Sequence, residues 1–189
     1  MASDSLTKLV LFACVLLLTF SENLVAGDSD KVKLNLYYES LCPGCQEFIV
    51  DDLSKIFDYD LYTITHLKLV PFGNAKLSDN LTITCQHGEE ECKLNALEAC
   101  AIRTWPDPRK LILRYATQTI SLKPPHEYVP WVTLNGKPLD DNVQSMDDLM
   151  AQICKAYKGK TALPKVCNSS ALMSKSPKRK VWKLQVLCR

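Results

Sequence analysis

No run in this sequence is long enough to cross a bilayer. The longest apolar stretch, Leu9 to Phe20 (LVLFACVLLLTF), holds 12 residues, whereas a spanning helix needs about 20. Charge of one sign is not in excess either: 23 lysines and arginines face 21 acids, a net charge of +2. The one basic cluster, Lys175 to Lys183 (KSPKRKVWK), reads as a solvated tail and lacks the aromatic interleaving that stacks bases, so nucleic acid is not an expected partner. Glycine is scarce, 6 of 189 residues, and no period recurs, which excludes collagen-like and repeat architectures. What is there is a 47% hydrophobic chain, enough for one sizeable core in a single domain.

Too short to span, the apolar run suits the h-region of a secretory signal: Lys8 precedes it, and the small residues Ala26 and Gly27 follow as cleavage positions. The alternative, a signal anchor, is disfavoured by the same length argument. Residues 1–27 are therefore expected to be a signal peptide, residues 28–165 the domain, and residues 166–189 a basic, poorly ordered tail. Cleavage removes Asp4, Lys8 and Glu22, moving the charge from +2 to +3, and leaves no segment for stable membrane insertion.

Of nine cysteines, Cys14 leaves with the signal. Cys42, Cys45, Cys85, Cys92, Cys100, Cys154, Cys167 and Cys188 remain, an even set that implies an oxidising compartment and a disulfide framework. The sequons at Asn80 and Asn168 agree with that compartment and predict glycosylation on exposed loops.

Val32, Leu34 and Leu36 alternate as a strand does, and from Pro43 the period changes: Phe48, Ile49, Leu53, Ile56 and Phe57 recur at helical spacing. A second strand fits Tyr62 to Gly73. Helices are predicted over 89–103, with Glu89, Glu90 and Glu91 in the first turn, Arg103 in the last and Pro106 as a stop, and over 108–120 behind a first-turn proline. Val129, Trp131, Val132 and Leu134 read as a strand, with Pro130 at its start, where a cis bond makes a tight corner. Asn135-Gly136 predicts a hairpin. Ser145 caps a closing helix that runs toward Gly159. Strand, crossover helix, strand, helical insert, hairpin and helix is the element order of a disulfide-stabilised α/β domain with a thioredoxin-like fold and a helical insertion.

The two cysteines of CPGC stand at the strand-to-helix corner. Thiolate is the nucleophilic form, and the unpaired N–H groups and dipole of a helix N-terminus favour it. Cys42 at that end is the candidate nucleophile, and Cys45, a turn away and more buried, the candidate resolving thiol. A zinc site would need further ligands from Cys85, His87 and Cys92, and a static staple would need distant partners. The strand-to-helix setting favours redox chemistry over both, so no metal is expected.

A second cluster fills CQHGEEECKLNALEAC, Cys85 to Cys100. Cys92 and Cys100 are eight positions apart on one predicted helix, ~12 Å at ~1.5 Å per residue, too far to bridge, so each is expected to reach another element. His87 and Gly88 suit the turn before that helix, and Asn95 a hydrogen bond made locally or across the core; for His87 and Asn95 contact with a substrate is the equal alternative. Cys154 and Cys167 can close a short loop. Cys188, so near the terminus, is a candidate for an unpaired thiol.

That segment resembles, position for position, the signature C-Q-H-G-x-x-E-C-x-x-N-x-x-x-x-C of the gamma-interferon-inducible lysosomal thiol reductase (GILT) family. Cys85, Gln86, His87, Gly88, Glu91, Cys92, Asn95 and Cys100 fill its fixed places. YYESLCPGC and EYVPWVTLNGK are similar to the family's redox motif and proline strand. The resemblance spans roughly residues 31–160. It implies a thioredoxin-like fold and reduction of protein disulfides by Cys42 and Cys45. It also implies a cis-proline corner at Val129 and Pro130 that holds substrate, and work at acidic pH. The implied partners are disulfide-containing proteins and an external small-molecule or protein thiol reductant, with no cofactor. QVLCR is unlike a retention signal, which leaves secretion or a lysosome or vacuole as the destination. The rivals are an oxidase or isomerase using the same pair, and a non-enzymatic, disulfide-stapled lipid-binding module of the saposin type.

Overall fold

A computed structural model describes residues 30–102, 108–140, 143, 145–169 and 188. The alternation of Val32, Leu34 and Leu36 forms β1 (Val32–Tyr38), and all three side chains are buried on one face. β1 is central. On one side it pairs in parallel with β2 (Thr65–Pro71), and on the other it pairs antiparallel with β5 (Trp131–Leu134). A short β6 (Lys137–Pro138) completes the order β2-β1-β5-β6. Asn135 and Gly136, both at positive φ (50° and 81°), make the predicted tight turn between β5 and β6, the geometry Asn-Gly is suited to.

The crossover from β1 to β2 is helical, which is why the two strands run parallel. It begins as α1 (Pro43–Glu47), widens into a π-helical stretch (Phe48–Leu53), and ends as α2 (Lys55–Asp58). Bonding from i to i+5 takes more residues per turn, so later side chains rotate away from a face read at a period of 3.6. Phe48, Leu53 and Ile56 are buried as predicted, but Phe57 is 58% exposed and stacks on the ring of Tyr62.

The sheet separates two hydrophobic clusters. One joins Leu34, Leu36, Tyr38, Cys42, Cys45 and the buried face of the crossover to α5 (Met146–Ala156). The other joins Tyr37, Val70, Phe72 and Trp131 to α3 (Glu89–Ile102) and α4 (Pro108–Ile120). Ser145 caps α5 by accepting from the Asp148 N–H at 3.3 Å. The helix ends at Ala156, before Gly159. Arg103 and Pro106 lie outside the described residues, as does the segment 1–27.

Two further features of the fold depart from the sequence reading. The loop after β2 contains a small hairpin, β3 (Lys76–Leu77) with β4 (Ile83–Thr84), whose turn presents the exposed Asn80. Packing also continues past residue 165: a 3-10 turn, Lys165–Asn168, places Val166 and Cys167 against the first cluster, and Cys154 bonds Cys167 across the short loop. Asn168 is exposed at the end of that turn. The four-stranded sheet is incompatible with an all-helical saposin-type module.

Candidate redox site

Cys42 ends the segment that leaves β1 and stands at the N-cap of α1, in extended conformation, with Pro43 in the first turn. Its carbonyl accepts the Gln46 N–H at 3.1 Å. Cys45 lies within α1, one turn further on. The Val129–Pro130 peptide bond is cis, and Val129 O lies 3.9 Å from Cys42 Sγ. The corner before β5 thus faces the first cysteine of the pair. Both cysteines are 0% exposed, not Cys45 alone as the helix position suggests.

Cys42 is disulfide-bonded as well as buried. Its sulfur is bonded to Cys188, 146 positions away, and not to Cys45, which is a free thiol. Cys188, expected as the candidate unpaired thiol, instead covers the helix N-terminus.

The second cysteine cluster packs behind this corner. Cys85 bonds Cys92, closing the turn before α3 onto the helix's own first turn. The expectation that Cys92 reaches another element is therefore corrected: a turn that folds back brings Cys85 to it, over a span of seven positions. Cys100 forms no disulfide among the described residues and is half-buried against the second cluster. Gly88 supplies the backbone the turn requires, at φ +89°, a region favourable only to glycine.

From that turn and helix, Asn95, His87 and the Glu91 backbone reach the residues before Cys42, and Gln86 reaches Asn74. Asn95 Oδ1 accepts the Ser40 N–H at 2.9 Å, and Ser40 Oγ donates to Glu91 O at 3.4 Å. His87 Nδ1 meets Glu91 Oε2 at 2.5 Å and lies 3.6 Å from Glu39 Oε2. Gln86 Oε1 accepts from Asn74 Nδ2 at 2.7 Å. Gln46 Nε2, from α1, donates to Ser40 O at 2.7 Å. Glu91 and Asn95 are buried, so Glu91 is an interior group and not the surface first-turn acid its position suggests.

Two further residues belong to the site. Glu39 is 0% exposed, and its Oε1 accepts the Asn74 N–H at 2.7 Å. Asn74 Oδ1 accepts from His126 Nε2 at 3.1 Å. Glu39 announces itself only as an acid near CPGC, and Asn74 is an ordinary loop residue in sequence. The one audible signal is Gly73 beside it, at φ +55°, where an added Cβ would stand 2.3 Å from Glu39 Cγ.

Carboxylates dominate the electrostatics. Burial, then the charge of Glu91, pushes the Glu39 carboxyl up to about 7, against weaker lowering by the Asn74 N–H and His87. Burial pushes the Cys45 thiol up to about 12; a hydrogen bond with the Glu39 backbone opposes this, and the charges of Glu39, Glu91 and Glu98 add to it. Burial lowers the His126 imidazole, with a Gly73 backbone bond opposing. Among the described residues, Glu39, His87 and Cys188 bring a carboxylate, an imidazole and a sulfur within 4.8 Å of one another. That sulfur is held in a disulfide, a poor metal ligand beside the thiolate that binds metals.

Comparison with known proteins gives relatives of the chain. The family model described as gamma interferon inducible lysosomal thiol reductase (GILT) matches residues 33–120. A gamma-interferon-responsive lysosomal thiol protein of Arabidopsis thaliana is 70% identical, over 98% of this chain and 96% of its own length. The gamma-interferon-inducible lysosomal thiol reductases of Carassius auratus and Mus musculus are 35% and 33% identical, over 73% and 82% of this chain and 73% and 78% of their own lengths. No helix among the described residues is long and apolar enough to cross a membrane.

Proposed function

Since the chain belongs to the gamma interferon inducible lysosomal thiol reductase (GILT) family, we propose that it is a thiol-disulfide oxidoreductase that reduces protein disulfides through Cys42 and Cys45. The observation that carries this reading is the placement of Cys42. It stands at a helix N-terminus, faces the carbonyl before a cis proline at 3.9 Å, and has Cys45 one turn behind it. A thioredoxin-like fold is the matching architecture, supported by the parallel β1–β2 crossover, the antiparallel β5–β6 hairpin and the cis corner between the helical insert and β5.

In this reading the Cys42 thiolate attacks one sulfur of the substrate disulfide, and the other sulfur leaves as a thiolate. Cys45, deprotonated, then attacks Cys42 Sγ, which releases the second substrate thiol and leaves a Cys42–Cys45 disulfide. Two thiols of an external reductant restore the pair, so no cofactor enters. Val129 and Pro130 hold the substrate segment in strand fashion.

An acidic working pH is supported by the lysosomal names of the relatives, against the burial that pushes the Cys45 thiol up to about 12. Below about 7 the Glu39 carboxyl is protonated, which lifts one of the charges opposing a Cys45 thiolate. The names of the relatives support a lysosomal destination; the proposed route runs through a cleaved signal over residues 1–27, with a vacuole or secretion as the other destinations it serves. Exposed Asn80 and Asn168 are the glycosylation positions in that route.

The experiment is insulin reduction by the purified mature chain at acidic and neutral pH, with Cys42→Ser beside the wild type. Loss of turnover in the variant is expected; full activity without Cys42 would sink the proposal.

A further inference from the structure

Cys188 does more than occupy the sulfur of Cys42. Its backbone pairs antiparallel with Val129, the residue before the cis proline. Val129 N–H donates to Cys188 O at 2.9 Å, and Cys188 N–H donates to Val129 O at 3.0 Å. Asn74 Nδ2 donates to the same Cys188 carbonyl at 3.2 Å. A disulfide substrate caught halfway through reduction must meet the same two demands. Its sulfur is bonded to the attacking cysteine, and its main chain is held on whatever free N–H and C=O groups the site offers. While Cys188 meets both, Cys42 is 0% exposed and closed to any other disulfide.

We propose that Cys188 is a tethered substrate of the chain's own site: the oxidised enzyme rests as the Cys42–Cys188 disulfide, which bars external disulfides from Cys42 until Cys45 displaces it. The inference rests on Cys42 being the attacking thiol. It also defines how a foreign substrate binds: an extended segment whose cysteine carbonyl sits on the Val129 N–H and the Asn74 amide.

The exchange needs no outside oxidant. The Cys45 thiolate attacks Cys42 Sγ, the Cys42–Cys188 bond breaks, and its electron pair leaves on Cys188, which takes a proton from solvent. A Cys42–Cys45 disulfide replaces a Cys42–Cys188 disulfide at the same oxidation level, and the external thiol reductant already required by the reaction then opens it. In reverse, the Cys188 thiolate attacks Cys42 of the oxidised pair, expels Cys45 and restores the resting form. Unlike a foreign thiol, which diffuses away once displaced, Cys188 stays tethered beside Cys42 through its backbone pairing with Val129 and can return, which makes the resting form persistent.

The test uses the full mature chain, oxidised, quenched in acid, unfolded, alkylated and digested without reduction. The wild type is expected to yield a crosslink between the Cys42 and Cys188 peptides with Cys45 alkylated, and Cys188→Ser a Cys42–Cys45 disulfide. Insulin reduction started from the oxidised wild type with limiting dithiol should show a lag that disappears in Cys188→Ser, while the two proteins, reduced beforehand, start at equal rates. A Cys42–Cys45 disulfide with alkylated Cys188 in the oxidised wild type, or identical progress curves, overturns the tethered-substrate role and leaves the reductase reading intact if both proteins turn over insulin. A Cys42–Cys188 crosslink in a protein without turnover overturns both, leaving a structural disulfide.

Discussion

The Ser40 N–H donates to Asn95 Oδ1 across 55 positions of sequence, at 2.9 Å. That bond ties the segment entering the CPGC corner to the middle of α3. Both ends are buried, so the polar groups have no water to fall back on.

Removing the acceptor leaves the Ser40 N–H unsatisfied in the interior. Asn95→Ala is expected to cost about 1–3 kcal/mol, toward the low end because it also deletes the unpartnered Asn95 Nδ2. Denaturant unfolding reads this directly; an unchanged midpoint and slope would show that the bond does not hold the corner.

Glu39 gives the fold a pH dependence of definite sign. Its folded pKa, about 7, lies above the ordinary 4.5, so the protonated carboxyl is the form the fold favours. The stability this contributes is whole below about 4.5 and is lost as pH rises through about 7, an effect of up to roughly 3 kcal/mol. Unfolding free energies of wild type and Glu39→Gln at pH 4, 5, 6, 7 and 8 should converge at the acid end, with the wild type alone declining toward neutrality. Parallel profiles would mean that Glu39 does not titrate in that window.

Gly73 is required twice, by its φ of +55° and by the 2.3 Å that would separate an added Cβ from Glu39 Cγ. Gly73→Ala is therefore expected to destabilise by more than the ~1 kcal/mol typical of a point change. Because it displaces Glu39, it should also flatten the pH profile described above. A normal profile with normal stability would place Glu39 elsewhere.

How much of this could be read from residues alone differs between fold and site. The change of period at Pro43, the apolar run around Trp131, the Ser145 cap and the Asn135-Gly136 turn are local signals, and the elements they mark formed there. The π-helical widening and the exposure of Phe57 are not local, since they follow from packing the crossover on the sheet. The signature cysteines and His87 stood out by type and spacing, but what Gln86, His87, Glu91 and Asn95 touch depends on tertiary contacts with residues 39, 40 and 74. The partner of Cys42 could not be heard at all, because a disulfide leaves no trace in spacing once 146 positions separate its ends.

The Ser145 cap, remote in sequence from the cysteine pair, separates stability from chemistry. Ser145→Ala removes the acceptor of the Asp148 N–H and is expected to cost ~1 kcal/mol with insulin turnover unchanged below the unfolding transition. A matching loss of turnover would show that the core α5 shares with Cys42 and Cys45 carries the lost cap to the site.

The central claim is that Cys42 attacks and Cys45 resolves. The most direct measurement is mass spectrometry of the Cys45→Ser, Cys188→Ser double variant after reaction with a disulfide-containing protein. The account predicts an accumulating mixed disulfide whose enzyme half is the Cys42 peptide, dissolved by added dithiol. Recovery of unmodified Cys42 with the substrate disulfide intact, or a mixed disulfide through any other cysteine, would contradict it.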